Sequence, residues 1–563
     1  MQRNDVNQLI REYSRSSSLN DALKLTGAAV LRSKETAKDV FPSRGLYDSV
    51  DSLCRCRGMV QEICPDITLF SASRDTFLTT SDCDAPGELI EATLLYVIPV
   101  PGNTHFYNLC SSRDSAGSAE CPPVFPNAKR EREIVVSARL CDTDGTPSTR
   151  VKLSEASPCC DRGGTLPENG SVQKRLNLPH PPRSPLLQTA CIVTLVGRTN
   201  SLPFKINDVV DFYGYVQVES GVGGPSDELF DDLCPWHARE LSRGLVSNLL
   251  CFTYELLPHS IMYASSLQES VLTQRQRSVQ TLSSALCGGD ELAAEYLLLH
   301  LCGGVHTFSN GTPLGDLPLL LVGESMNAQN WSDFLSNVSP IAEVYIDVGR
   351  TTGVRPCWTP QHDVEKNYLQ TGLLQVANGT HVTFNCDSLN MQDTNSQTAF
   401  HNLIHKQVLQ LQYPFQKVEV PINVSVLALS SNLTDLDALF CFPLCVKWTP
   451  TCANALPTPS AAGNDDELDA VRSYVARVRD AGLDEAASPE IQSYISETLL
   501  GLSEALEGWN NREPLLHNNT FSIFVALART YSMSMGRSCV TQSDVDCVAS
   551  LEKRRHDRIS AVQ

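Results

Sequence analysis

The sequence predicts a multidomain protein of mixed α+β and α/β class. It reads as a β-barrel region with a disordered insertion, then an α/β layer domain, then a helical C-terminal part. Three observations predict this order. The first half carries short apolar runs separated by turn residues, as in a small barrel or sandwich. After about residue 280, helical periodicity alternates with fully apolar runs, the pattern of a parallel sheet covered on both faces. Beyond a Pro/Ser/Ala-rich stretch only helical periodicity remains. The 563 residues suit three or four domains of about 150 residues each.

Taken in order, residues 1–45 are polar and read as helical, with Leu9, Ile10, Leu19 and Leu23 as a loose apolar face. A β domain is expected over 46–265. Its strands are read at 53–69, at Leu94 to Pro101, at Ala190 to Val196 and at Val209 to Val218. Within it, residues 111–186 are rich in Ser, Pro, Gly and charge, so they read as a disordered insertion with a short strand at Ile134 to Val136. Residues 280–455 form the expected α/β domain. Asp290 N-caps a helix stopped at Gly303-Gly304. Strands follow at Leu319 to Val322, Val382 to Phe384, Val424 to Leu429 and Ala438 to Phe442. Residues 456–467 read as a linker and 468–563 as packed helices. Ser488-Pro489 is a helix start, and Thr541-Gln-Ser-Asp544 resembles a capping box.

Composition narrows the function classes. Forty-four basic against 64 acidic residues give a net charge of −20. Tight nucleic-acid binding needs clustered Lys and Arg, so no strong direct binding is expected. The densest basic run, Lys553 to Arg558, reads first as a solvated helix end and second as a weak nuclear-localisation patch. No run approaches about 18 uninterrupted apolar residues, so no membrane span is expected. The opening MQRNDVNQLIREYSR lacks the apolar core of a signal peptide. The 21 cysteines fall well short of a disulfide scaffold and read as reduced thiols. Cys54/Cys56 and Cys441/Cys445 lack a second ligand pair at finger spacing, so no zinc is expected. His401 and His405 stand at i, i+4 without the Glu of a zinc helix and read as polar-face histidines.

One segment invites a sharper reading. The apolar strand Leu319 to Val322 runs into Gly323-Glu-Ser-Met-Asn-Ala-Gln-Asn330, where a phosphate-binding loop would sit. Such a loop needs a Lys and a Ser/Thr hydroxyl, but those places hold Gln329 and Asn330. The stretch from Ala293 to Gly323 nevertheless resembles the opening of the ATPase domain of MCM replicative-helicase subunits. Leu369 to Asp387 is similar to that family's segment ending in its metal-binding strand, whose Asp-Glu pair would fall on Asn385 and Cys386. The strand ending near Ser430 is similar to the sensor-1 strand. Thr520 to Tyr531 resembles the lid, whose sensor-2 arginine would fall on Ser522. No arginine-finger motif follows Leu429. Phosphoryl transfer depends on positioned positive charge and metal, so this resemblance implies a degenerate AAA+-like domain with Gly323, Gln329, Asn330, Asn385, Cys386 and Ser522 in a dead nucleotide site.

A closer resemblance is to the MCM-binding protein family. It rests on Tyr96-Val-Ile-Pro-Val-Pro-Gly102, Phe204 to Gly214, Gly289 to Leu301, Pro313 to Gly315 and Leu369 to Thr380. It implies an OB-like barrel and a non-enzyme without cofactor or metal that associates with MCM helicase subunits. It also implies a nuclear protein, with the cytoplasm as a second compartment, governing assembly of the MCM complex or its release from chromatin. The alternatives are an active MCM-type ATPase and a scaffold with an unrelated partner.

Overall fold

A computed structural model describes residues 2–14, 19–41, 52–63, 68–72, 88–103, 176–179, 189–197, 202–217, 246–257, 270–324, 326–345, 357–364, 368–388, 394–431, 442–451, 465–481, 488–505 and 516–560. The expected strand at 134–136 and most of the expected insertion lie outside these residues.

The chain starts with two helices, α1 (Arg3–Ser14) and α2 (Leu19–Arg32), and a short strand, β1 (Lys38–Asp39). Strands β2 (Cys54–Ile63), β3 (Thr68–Ala72), β4 (Glu88–Ile98), β5 (Ala190–Val196), β6 (Val209–Gln217) and β7 (Val246–Leu256) follow. Five of them run in the order β2-β6-β7-β5-β4, and β4 pairs back to β2, so the barrel is closed. All its pairs are antiparallel except β5 with β7. Strand β7, in a region where no strand was read, completes it. Alternate side chains such as Cys56, Leu95, Val97, Val193, Phe212 and Leu249 fill one core. Their neighbours point the other way and are apolar too, because both outer flanks are covered. Tyr213, Tyr215 and Phe252 lie under Val6 and Ile10 of α1 and Leu23 and Val30 of α2. These spacings place each pair on one helix face. Gly27 lets α2 come this close, since a Cβ there would stand 2.7 Å from the Phe252 carbonyl oxygen.

The second half begins with α3 (Val271–Ala285), α4 (Glu291–Cys302), β8 (Thr307–Ser309), β9 (Thr312–Leu314), β10 (Leu319–Val322), α5 (Ala328–Val338) and β11 (Ala342–Tyr345). It continues through β12 (Gln361–Asp363), β13 (Tyr368–Gln370), β14 (His381–Asn385), α6 (Thr394–His401), β15 (Val408–Gln412), β16 (Lys417–Pro421), β17 (Ser425–Ser430) and β18 (Leu444–Lys447). Helices α7 (Asp465–Ala481), α8 (Pro489–Ala505), α9 (Leu516–Ser534) and α10 (Gln542–Ser560) close the chain. An all-parallel sheet runs β11-β14-β17-β10-β18. Its apolar runs have a direct cause. Leu319 and Leu321 enter the core made with the helices, while Leu320 and Val322 enter the core on the other face. A second sheet, β13-β12-β15-β16, was not expected from sequence. Its strands carry Gln361, Gln370, Gln410 and Gln412, and their short length hides the alternation. Of the strand expected at 438–442, all but Phe442 falls within residues 432–441, which lie outside the description; the described strand that follows is β18.

Helices α7 to α10 bury Tyr474, Phe524, Leu527 and Val548 in the same core as α4 and β10. The stretch before Asp465 therefore marks a change of secondary structure and not a second core. The Thr541 capping box forms, with the Thr541 N–H donating to Asp544 at 2.9 Å. The reading of Lys553 to Arg558 as a solvated helix end needs correction. Arg558 donates to both Asp290 carboxylate oxygens, at 2.8 and 2.7 Å. Arg555 pairs with Glu552 at 2.6 Å and donates to the Cys445 carbonyl at 3.1 Å. Only Lys553, Arg554 and Asp557 of this run are exposed. Asp290 also caps α4, accepting from the amides of Leu292 and Ala293.

The expected insertion is corrected at its end. Leu176 and Asn177 are buried between the two halves. Tyr96 donates to the Leu176 carbonyl at 3.0 Å, and Gln61 to that of Asn177 at 2.6 Å. The Asn177 side chain donates to the Leu369 carbonyl and accepts from the Thr371 amide. Around it, Met59, Tyr96, Ile98 and Ile192 of the barrel share a core with Leu176, Ile341 and Ala377. Asn378 adds a 2.7 Å hydrogen bond to Asp208.

Two predictions follow from these contacts. Arg558→Ala leaves the Asp290 carboxylate buried without its cation and is expected to cost about 2 kcal/mol in denaturant unfolding. The exposed control Lys553→Ala is expected to cost almost nothing. Equal effects would remove Asp290 from its structural role.

The second concerns His300 and His381, whose Nε2 atoms lie 3.1 Å apart. His300 Nδ1 lies 2.7 Å from the Leu317 carbonyl and so carries the proton, leaving its Nε2 to accept from His381. Burial, together with Arg479 nearby, pushes His300 down to about 4 and His381 well below its ordinary value. Below about pH 6.5 the unfolded chain takes up protons that the folded pair refuses, so stability falls as pH drops toward 4. Burial pushes Asp316 up to about 7, which works in the opposite sense but is common to wild type and variant. Melting curves of a His300→Asn/His381→Gln variant should therefore show a shallower acid slope than wild type; parallel slopes would refute the assignment.

Candidate functional site

In a parallel sheet, ligands bind beyond the carboxyl ends of the strands where successive connections leave to opposite sides. Here that switch point lies between β10 and β17. From β10 the chain passes to β11 at one edge, and from β17 to β18 at the other. Gly323 follows β10, Ser430 ends β17, and Asn385 ends β14, in register with Leu429. The structure thus places Gly323, Gln329, Asn330, Asn385 and Cys386 along the carboxyl-end edge of the sheet.

Among the described residues, groups at this end bond to one another. The Gly323 amide donates to the Ser430 carbonyl at 3.0 Å. Trp448 covers Gly323, and a Cβ there would lie 2.7 Å from its ring. The indole is fixed by its Nε1–H to the Cys287 carbonyl at 2.8 Å and by Trp331, edge-on at 6.4 Å. A helix N-terminus offers free amides to a phosphate. At α5, Asn327 Oδ1 already accepts from the amides of Gln329 and Asn330, at 3.0 and 3.3 Å. The Gln329 side chain turns along the helix to Asp333 at 2.8 Å.

The second strand end offers little for metal or base chemistry. Asn385 is a neutral amide. Cys386 is buried, and burial pushes its thiol up to about 12, so it stays protonated. The carboxylate stands one residue later. Asp387 accepts from Ser430 Oγ at 3.2 Å and from the Ser431 amide at 3.0 and 3.1 Å, which ties the ends of β14 and β17 together. Sequence reading missed Asp387, Asn327 and Trp448. An Asn at the place of an N-cap was the one local signal for Asn327; nothing in the order of residues announces that Trp448 reaches Gly323.

Ser522 is not brought to this edge. It lines a small cleft with Pro313, Asp316, Pro318, Ile404 and His405. Pro318 precedes β10, so the cleft lies at the opposite end of that strand. His401 and His405 have ring centroids 4.6 Å apart. Among the described residues, no three His, Cys, Asp or Glu side chains group so as to hold a metal. Cys54 and Cys56 are buried in the barrel wall. No described helix is long and apolar enough to cross a membrane.

Three known proteins are similar along most of this length. A mini-chromosome maintenance complex-binding protein of Arabidopsis thaliana is 23% identical over 554 residues, covering 90% of this chain and 88% of its own. One of Drosophila melanogaster is 23% identical over 504 residues, covering 84% and 80%. One of Salmo salar is 26% identical over 504 residues, covering 80% and 76%. The family model described as mini-chromosome maintenance replisome factor matches residues 49–559. Since that match runs through the barrel, the parallel sheet and the closing helices, the chain belongs to the mini-chromosome maintenance replisome factor family.

Proposed function

We propose that this chain is a non-catalytic binding protein for MCM helicase subunits, acting in the nucleus on assembly of the MCM complex or its release from chromatin. The observation that carries the non-catalytic part is the switch point, where Trp448 lies on Gly323 and Asn327 takes the helix amides. The parallel sheet, with β10 between β17 and β18, supports reading the second half as a degenerate AAA+-like domain, with α7 to α10 in the place of a lid. The relatives' names supply the partner class.

The barrel supports the same reading. Its closed five-strand course with one parallel pair suits an OB-like connectivity. OB-folds take oligonucleotides on the face of their second and third strands. Here those strands are β4 and β5, and their outer side chains Leu94, Tyr96 and Ile192 are buried with Leu176 and Ile341. The burial of these side chains supports the reading that the chain binds no nucleic acid strongly, as does the net charge of −20.

Purified full-length protein is expected to hydrolyse no ATP above background and to show no Mg²⁺-dependent shift of melting temperature with ATP. Turnover that disappears in Asp387→Ala would overturn the non-catalytic reading. Tagged protein from nuclear extract is expected to recover MCM subunits, in complexes lacking at least one of them. Recovery of no MCM subunit above control at low salt would overturn the partner assignment.

A further inference from the structure

Helix α6 runs into a π-turn, Asn402–Lys406, that ends on Gln407. Gln407 is fully buried and has a φ of +50°, in the left-handed region that residues other than glycine seldom enter. Its side chain shows what holds it there. Nε2 donates to Asp316 Oδ2 at 2.7 Å, to the Leu403 carbonyl at 3.0 Å and to the Val424 carbonyl at 2.9 Å. Oε1 accepts from the Val424 amide at 2.9 Å. π-turns and strained residues collect at functional sites. Here both serve to fix one carboxyl group.

That carboxyl lines the cleft to which Ser522 was traced above. Asp316 is only 6% exposed, and a carboxylate so buried is ordinarily paired with a cation. Among the described residues Asp316 has no ion-pair partner. Arg479, whose charge reaches it, directs its guanidinium to the Leu301 and Gly303 carbonyls and to Ser425 Oγ. The cleft holds about 320 Å³ of empty space, at the small end of ligand sites. Pro313, Pro318 and Ile404 give it apolar walls, and Thr312 and Ser522 bring hydroxyls.

We propose that this cleft binds a primary ammonium group carried on an aliphatic stem, with Asp316 as its counter-ion. An ammonium offers three N–H donors and no acceptor, which suits a carboxylate flanked by hydroxyl groups. Its methylenes find proline and isoleucine to lie against. Gln407 and the Leu317 amide already use part of the carboxylate's acceptor capacity, so a point donor fits better than the two-pronged fork of a guanidinium. A lysine side chain and a free alkylamine share this chemistry. Burial pushes Asp316 up to about 7. A bound cation favours the ionised form, so binding tightens as pH rises through that value.

The test titrates full-length protein with n-butylammonium chloride by calorimetry, against n-butanol as the neutral control and sodium chloride at matched ionic strength. Saturable binding of n-butylammonium alone is expected. Asp316→Asn keeps the shape and removes a buried charge, and is expected to weaken binding at least about tenfold. A second measurement stands even if that variant fails to fold. His405 also lines the cleft, and its protonation would repel the ligand at low pH, so the pH series is run in His405→Gln; the charge of Arg479 is constant over this range. There, binding should be about tenfold tighter at pH 8 than at pH 6. Absent saturation, equal binding of n-butanol, unchanged affinity in Asp316→Asn or a flat pH series would each overturn the proposal. Nα-acetyl-lysine methylamide separates the sources. Binding at least as tight as n-butylammonium supports a lysine side chain, and exclusion of the capped residue supports a free alkylamine. None of these outcomes depends on the partner class given under Proposed function.

Discussion

Asp290 is the constraint on which the second half of the molecule depends. One carboxylate accepts from the first amides of α4, from the Thr449 amide at 2.9 Å, and from Arg558 at 2.7 Å. These partners come from the start of the central helix, from the segment after the edge strand and from the last helix. A buried charge is tolerated only when it is paired and its lone pairs are used. Here every partner that meets that need is also a structural tie. The C-terminal helix is therefore held to the sheet by electrostatics as well as by Val545, Val548 and Leu551 in the core.

The same region explains why groups at the carboxyl end of the sheet are bonded to one another. Thr449 is held by Asp290, and the preceding residue is Trp448, whose amide donates to the Val322 carbonyl at 2.8 Å. Fixing one fixes the other. The indole that covers Gly323 is thus placed by the framework of the domain and is not a mobile cover. Clearing the edge for a phosphate would mean moving β18, α10 and the cap of α4 together.

Much of this was legible in the residue order. The Asp290 cap, the buried strand at Leu319, the capping box at Thr541 and the strand at 209–218 are local signals, and they appear where local chemistry puts them; the strand expected at 94–101 is the end of a longer one, β4, that runs from Glu88 to Ile98. The four-stranded sheet was not legible, because its pairing joins short polar strands far apart in sequence. Arg558 looked solvated because its partner, Asp290, lies more than two hundred residues away; Arg555 has the nearby Glu552, but its burial comes from the distant Cys445 carbonyl and β18. For the site, the uncharged side chains at Gln329, Asn330 and Asn385 could be read directly. What they stand beside could not, since Trp448 and Asp387 act through contacts that only the folded sheet creates.

The buried peg at Leu176–Asn177 has a consequence for how the family can vary. The chain leaves the junction at Asn103, bridged to Ile341, and returns to the same junction at Leu176. Both ends of residues 104–175 are thus fixed by contacts that do not depend on what lies between them. Closure entropy grows only slowly with the length of chain joined between two fixed points, by about 0.6 kcal/mol per doubling. Insertions and deletions between these anchors are therefore nearly neutral for the fold, whereas one residue gained or lost between Leu176 and Asn177 would misplace the peg. Length drift among relatives should accumulate between these two anchors and stop abruptly at the second.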